Sequence, residues 1–149
     1  MSGKILIFGS TGAVGSSLAK LLKDSSEDIH LIGKNEEEVS KLAEKTNGSF
    51  SVVDVTDPNF LETIDKDLGE MDIAGIAYCV GSIDLKPINL VSKKDYLKSF
   101  ELNFFPIVEI IKKYKENLKK NKSSIVLFST VAVKQGFPNH SVISPVKAS

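Results

Sequence analysis

Cysteine occurs once in the 149 residues, at Cys79, and histidine twice, at His30 and His140. A single thiol rules out an intramolecular disulfide and any paired-cysteine metal motif. Two imidazoles are too few for a histidine-based metal centre. An excess of charge is also missing: Lys+Arg and Asp+Glu are 19 each, for a formal net charge of +0. That balance argues against nucleic acid or an anionic membrane surface as partner. The most apolar stretches, IAGIAYCV (73–80), IVEII (107–111) and SIVLF (124–128), are far too short to span a bilayer, and no basic segment followed by a long apolar one opens the chain. The expectation is a cytoplasmic protein that binds neither nucleic acid nor membrane. At this length it should be a single domain, 1–149, able to bury a sizeable core.

What is present is concentrated at the start, where the apolar run Lys4 to Phe8 passes directly into Gly9, Gly12 and Gly15. That pattern reads as a strand turning into a helix. Each glycine has its own reason: a tight turn at Gly9, close approach of backbone N–H groups to a pyrophosphate near Gly12, and helix-against-strand contact at Gly15. Leu18, Leu21 and Leu22 then fall on one helical face, and the N-terminus of that helix would aim its dipole at a phosphate. A glycine-rich turn without a ligand is the alternative.

Further along, Ile29 to Ile32 reads as a second strand leaving through Gly33, Lys34 and Asn35, about where a residue meets the adenosine ribose. An acid there would accept hydrogen bonds from the 2′-OH; Lys34 would instead attract a 2′-phosphate, so NADP is favoured over NAD. An ordinary exposed lysine is the alternative reading. Glu36 to Lys45 is helical by propensity, with Asn47 and Gly48 as its stop. Phe50 to Val55 reads as the third strand, with Asp54 at its exit, and Asp57 with Pro58 as the opening of a third helix that carries Phe60, Leu61, Ile64 and Leu68. Ile73 to Val80, closed by Gly81, fits a central parallel strand buried on both faces, which would make Cys79 a buried, inert thiol. Ser92 and Asp95 resemble a capping box that opens a long amphipathic stretch to about Lys120. Pro106 removes one helical N–H and frees a carbonyl one turn back, so a kink is expected near Asn103. Ser124 to Thr130 reads as the fifth strand, and residues 141–149 as a last helical start.

Five strands alternating with helices imply an α/β, Rossmann-like, doubly wound parallel sheet in the order 3-2-1-4-5, with ligands at the carboxyl ends of the strands. The fifth strand is then an edge. Its run Ile125 to Phe128 contains no lysine or proline, so either self-association into a homo-oligomer through that edge or poor solubility is expected.

Taken together, these residues resemble the short-chain dehydrogenase/reductases over essentially the whole chain. Gly9, Ser10, Thr11, Gly12, Val14 and Gly15 are similar to the family's first cofactor signature. Asp54 and Val55 match the acidic position at the end of the third strand that meets the adenine amino group. Tyr78, Cys79, Val80 and Gly81 occupy the place of the family's Asn-Asn-Ala-Gly, with only Gly81 retained. Asn103 sits where the family keeps an asparagine whose backbone carbonyl holds a relay water. Thr130 stands at the catalytic serine, and Lys147 at the lysine of the Tyr-x-x-x-Lys signature. The tyrosine position is Ile143.

The resemblance implies an NADP-dependent oxidoreductase, with NAD as the alternative cofactor, that moves a hydride between nicotinamide and a small carbonyl or alcohol substrate. It assigns catalysis to Thr130, Lys147 and Asn103, with Lys147 also holding the nicotinamide ribose. In the family the tyrosine exchanges the proton; an isoleucine has none to give. The alternatives are a non-catalytic dinucleotide-binding or sensor module, and an inactive remnant incomplete relative to the family, whose members continue past the lysine with two further strands. For Thr130 the alternative is a strand residue that satisfies its own turn. By chemistry His140 is the best substitute for the tyrosine, though it reads as an exposed loop histidine. Tyr78, Tyr96 and Tyr114 read as core or surface aromatics.

Overall fold

Strand and helix alternate along the chain: β1 (Lys4–Phe8), α1 (Ala13–Leu22), β2 (Asp28–Gly33), α2 (Glu36–Thr46), β3 (Ser49–Val52), α3 (Phe60–Leu68), β4 (Ile73–Tyr78), α4 (Lys93–Asn103), α5 (Phe105–Asn121), β5 (Ser124–Leu127) and α6 (Ile143–Ala148). The computed structural model describes residues 3–25 and 28–149. All strand pairings are parallel, in the order β3-β2-β1-β4-β5, as expected. Successive side chains of a strand point to opposite faces, so β1 feeds two cores. Leu6 and Phe8 pack with Phe60, Ile64, Ile110 and Tyr114 of α3 and α5, whereas Ile7 packs with Ala19, Val39 and Leu42 of α1 and α2.

Local chemistry sets most helix ends. Asn35 caps α2 by accepting the Glu38 N–H, and Asn47 stops the helix in the left-handed region at φ 54. The capping box at α4 is complete: Ser92 Oγ accepts the Asp95 N–H, and Asp95 Oδ2 accepts the Ser92 N–H. Several boundaries differ from expectation. β3 ends at Val52 rather than Val55, because the chain turns where Asp54 Oδ1 accepts the Thr56 N–H and hydroxyl at 2.9 and 2.7 Å. Helix α3 starts at Phe60, not at Asp57 and Pro58; the Asp57 carboxylate instead holds an Asx turn by accepting the Asn59 N–H at 2.8 Å. β4 ends at Tyr78 and β5 at Leu127, both short of the apolar runs that contain them.

The amphipathic stretch after Ser92 is two helices that meet at Phe104, whose φ −130 and ψ −59 break the helical course next to Pro106. The carbonyl that Pro106 leaves unbonded one turn back belongs to Leu102, and the buried Tyr78 hydroxyl donates to it at 2.7 Å. Burial pushes the Tyr78 phenol pKa well above its ordinary value, so it remains a donor. Tyr78→Phe keeps the ring against Phe8 but strands that carbonyl. It should destabilise the fold by about 1–3 kcal/mol, read as a lower denaturant midpoint at unchanged slope.

His30 is fully buried on β2, with Nδ1 2.8 Å from Ser49 Oγ and Nε2 2.8 Å from Ser51 Oγ on β3. Burial first, and the nearby Lys4 ammonium second, lower its pKa from 6.5 to about 4, against a small opposing effect of Asp67. A base that resists protonation when folded contributes stability above its unfolded pKa and loses it as pH falls. Unfolding free energy should therefore drop between about pH 6.5 and pH 4, by roughly 3 kcal/mol in all. His30→Gln should flatten that part of the profile.

All four residues of β5 are exposed at the sheet edge, with Val126 at 49% and Phe128 just beyond at 43%. Unpaired backbone on an uncharged apolar edge is a template for strand addition. If the chain self-associates through this edge, Val126→Lys should shift it towards monomer in light scattering; an unchanged mass would show that the edge is not the contact.

Candidate functional site

The carboxyl ends of β1 to β4 meet at a cleft of about 280 Å³. Of the residues singled out by sequence, Gly9, Thr11, Gly12, Lys34, Asp54, Val55, Cys79, Val80 and Gly81 line it together. Gly33, Ser82 and Leu102 line it as well without having been singled out. Gly33 was within reach of sequence reasoning, since it precedes Lys34 at the strand exit; Leu102 enters only through the α4–α5 break.

The loop shape depends on two glycines. Gly9 has φ +70, and a Cβ there would lie 2.9 Å from backbone atoms of both Cys79 and Val80. A Cβ on Gly15 would lie 2.3 Å from the Gly9 carbonyl oxygen, so α1 can rest on the loop only with glycine at that point. Gly12 differs: its φ −70 and ψ 170 suit any residue, and a Cβ would meet only Gly9 O, at 3.3 Å. Beyond that contact the space beside it is open and belongs to the cleft. Gly12 is also the N-cap of α1 and offers no side-chain cap, so helix geometry leaves the N–H groups of the first turn without intrahelical partners. These features fit a pyrophosphate. Ser10 does not join them, because its side chain is buried and its Oγ donates to Ile32 O at 3.1 Å, pinning the loop to β2. Val14 is exposed on α1 and is not among the lining residues.

At the other end, Lys34 is exposed at the exit of β2, in the same wall as Asp54. The Asp54 carboxyl is held below its ordinary pKa, first by the Thr56 N–H, then by the Thr56 hydroxyl, with Lys34 adding attraction against a little desolvation. It therefore gives up its proton more readily than an ordinary aspartate. Cys79 is half-buried rather than buried, and desolvation raises its pKa, so the thiol in the cleft wall stays protonated.

Beyond Gly81 the implied catalytic residues converge in part. A Cβ on Gly81 would lie 3.0 Å from Asn103 Oδ1 and 3.3 Å from Lys147 Nζ, so these three meet at one point. Asn103 is 97% buried, its amide donates to Ser99 O at 3.0 Å, and its Oδ1 has no partner among the described residues. An unpaired buried acceptor beside an ammonium suits a bridging water or a ligand hydroxyl. Burial lowers the pKa of Lys147, and Ser129 Oγ donates to the Lys147 carbonyl at 3.1 Å. Thr130 does what the plainer reading gave it: its Oγ1 accepts the Ala132 N–H at 3.3 Å and caps the 3₁₀ turn Val131–Val133. Its own O–H proton is not used in that bond. Ile143, only 1% exposed, packs in the core. His140 is half-buried rather than exposed. No cluster of His, Cys, Asp and Glu among the described residues could hold a metal, and no helix of the described residues is long and apolar enough to cross a membrane.

With this geometry in place, comparison with known proteins adds four findings. A family model described as Enoyl-(Acyl carrier protein) reductase matches residues 9–149. An uncharacterized oxidoreductase of Schizosaccharomyces pombe is 30% identical over 141 residues, which are 90% of this chain and 56% of the relative. Among solved structures, a short chain dehydrogenase/reductase of Saccharomyces cerevisiae superposes with a TM-score of 0.88 at 22% identity, covering 99% of this chain and 61% of its own. Another short chain dehydrogenase/reductase family protein gives 0.88 at 18% identity, covering 97% and 62%. The chain thus spans little more than half the length of the curated relative it matches.

Proposed function

The chain belongs to the short-chain dehydrogenase/reductase family, and from that premise we propose that it forms the nucleotide-binding part of an oxidoreductase that uses NADP(H) to interconvert a carbonyl and an alcohol. The observation that carries the reading is the cleft itself: Gly12 facing open space at the start of α1, with Lys34 and Asp54 in the same wall. The first-turn N–H groups of α1 would hold the pyrophosphate, and the Lys34 ammonium a 2′-phosphate. Asp54 retains a carboxylate able to accept from the adenine amino group. Lys147 and the Asn103 Oδ1, both close to Gly81, would bind ribose hydroxyls. The bound dinucleotide would supply the hydride. The Thr130 O–H would donate to the substrate oxygen, and homo-oligomerisation would proceed through β5.

Ile143 favours a second reading, a dinucleotide-binding module without turnover, since the group that would carry the proton is replaced by a buried hydrocarbon. Following the near-ultraviolet absorbance of NADPH in the presence of small ketones and aldehydes separates the two. Carbonyl-dependent oxidation of the cofactor supports the oxidoreductase; saturable binding of NADPH with no oxidation supports the binding module.

A further inference from the structure

Resting on the reading of Asn103 and Lys147 as the pair that binds ribose hydroxyls, we propose that Lys86 is the positioning residue that sets this pair against Gly81. Lys86 stands in the loop that follows β4 and does not line the nucleotide cleft. It acts through the two helices that carry the pair, with Asn103 at the end of α4 and Lys147 in the last turn of α6.

The loop has little packing to hold it. Ile83 is 63% and Leu85 52% exposed, so neither side chain anchors it in a core. Between the loop and α4 lies a cavity of about 540 Å³, which shares Asp54, Ser82 and Leu102 with the nucleotide cleft. A segment with few buried apolar contacts opens readily, so its polar contacts decide where it runs.

Lys86 makes such contacts in two directions. Its ammonium lies 2.5 Å from Asp95 Oδ1, with Asp84 Oδ2 farther off at 3.9 Å. The other oxygen of Asp95 accepts the N–H and the hydroxyl of Ser92, the N-cap of α4, each at 2.8 Å. The Lys86 ammonium first, then the Ser92 N–H and hydroxyl, hold the Asp95 carboxyl well below its ordinary pKa. One carboxylate thus joins the loop to the start of α4. In the other direction, the Lys86 N–H donates to the Asn139 carbonyl at 3.1 Å. The next carbonyl, that of His140, accepts the Ser144 N–H at 3.0 Å and begins the turn into α6.

A helix of six residues does not hold its place alone. Helix α6 packs on α4 and on the 3₁₀ turn Val131–Val133, and the Asn139 link fixes its approach. Lys86 therefore ties the start of α4 to the approach of α6, while the far ends of both helices meet at Gly81. There a Cβ would lie 3.0 Å from Asn103 Oδ1 and 3.3 Å from Lys147 Nζ. Without the ammonium the backbone bond to Asn139 remains, but the loop is no longer joined to the helix that carries Asn103.

The test compares Lys86→Met, which drops the charge, with Lys86→Arg, which keeps it. In the first arm, without nucleotide, NMR follows amide hydrogen exchange. In Lys86→Met the Ser144 N–H should gain more in exchange rate than the Leu6 N–H of β1, and Lys86→Arg should return it towards the parental rate. A gain at Ser144 no greater than at Leu6 would mean only a general loss of stability and overturns the proposal. In the second arm, NADPH and adenosine 2′,5′-bisphosphate, which lacks the nicotinamide ribose, are titrated into each chain. Lys86→Met should weaken NADPH by about 5-fold, the scale of a half-exposed ion pair, and leave the bisphosphate unchanged; Lys86→Arg should restore NADPH. Equal losses for both ligands, or none for NADPH, overturn the proposal. A parent that binds neither ligand would instead sink the reading of the cleft, and the first arm would then decide whether Lys86 sets α6.

Discussion

Gly12→Val should leave the protein folded and abolish nucleotide binding. The backbone at Gly12 is extended, with φ −70 and ψ 170, a conformation that valine adopts freely. A Cβ there would press only on Gly9 O at 3.3 Å, so the unfolding midpoint should move by less than about 1 kcal/mol. The branched side chain would instead stand in the cleft that Gly12 lines at the start of α1, where the pyrophosphate is proposed to bind. The control lies three residues on. At Gly15 a Cβ would run into Gly9 O at 2.3 Å and Ser10 Cα at 2.8 Å, both backbone-borne, so Gly15→Val should cost about 1–3 kcal/mol or more and distort the loop itself. A folded Gly12→Val chain that still binds NADPH normally would reduce the loop to a turn between β1 and α1.

The second large effect is expected at Lys34. Its ammonium is exposed at the exit of β2 and close enough to Asp54 to help hold that carboxylate ionised. A lysine set on a 2′-phosphate makes a charge-assisted hydrogen bond worth about 1.5–3 kcal/mol, roughly a 10- to 150-fold preference for NADPH over NADH. Lys34→Asp should reverse it: the new carboxylate would repel the phosphate, add to the negative charge of Asp54, and accept hydrogen bonds from the free 2′-OH of NADH. Competition between the two dinucleotides on the variant and the parent reads this directly. A preference unchanged by the substitution would make Lys34 an ordinary solvated lysine.

How much of this was legible in the sequence follows from how local each cause is. The glycine spacing, the caps at Asn35 and Ser92 and the break near Asn103 lie within a few residues of their causes, and the structure has all of them. Sheet order followed from strands alternating with helices. What stayed hidden depends on partners far along the chain. That the carbonyl freed by Pro106 is taken by Tyr78 links residues 24 apart. The end of β3 and the start of α3 are set by Asx turns at Asp54 and Asp57, which compete with strand and helix in ways that apolar periodicity does not register. Thr130 could be read either as a substrate contact or as a turn cap; its bond to the Ala132 N–H shows the cap and leaves its own proton free. His140 looked like a loop histidine because nothing in sequence predicts the Pro138 carbonyl against Nδ1 or a cavity wall around the ring.

Isothermal titration of NADPH and NADH into the purified, unmutated chain tests the central claim most directly. The account predicts saturable, one-site binding of both, with NADPH the tighter by roughly 10- to 150-fold. Equal affinities would contradict the role of Lys34, and absence of binding by either dinucleotide would contradict the assignment of the cleft.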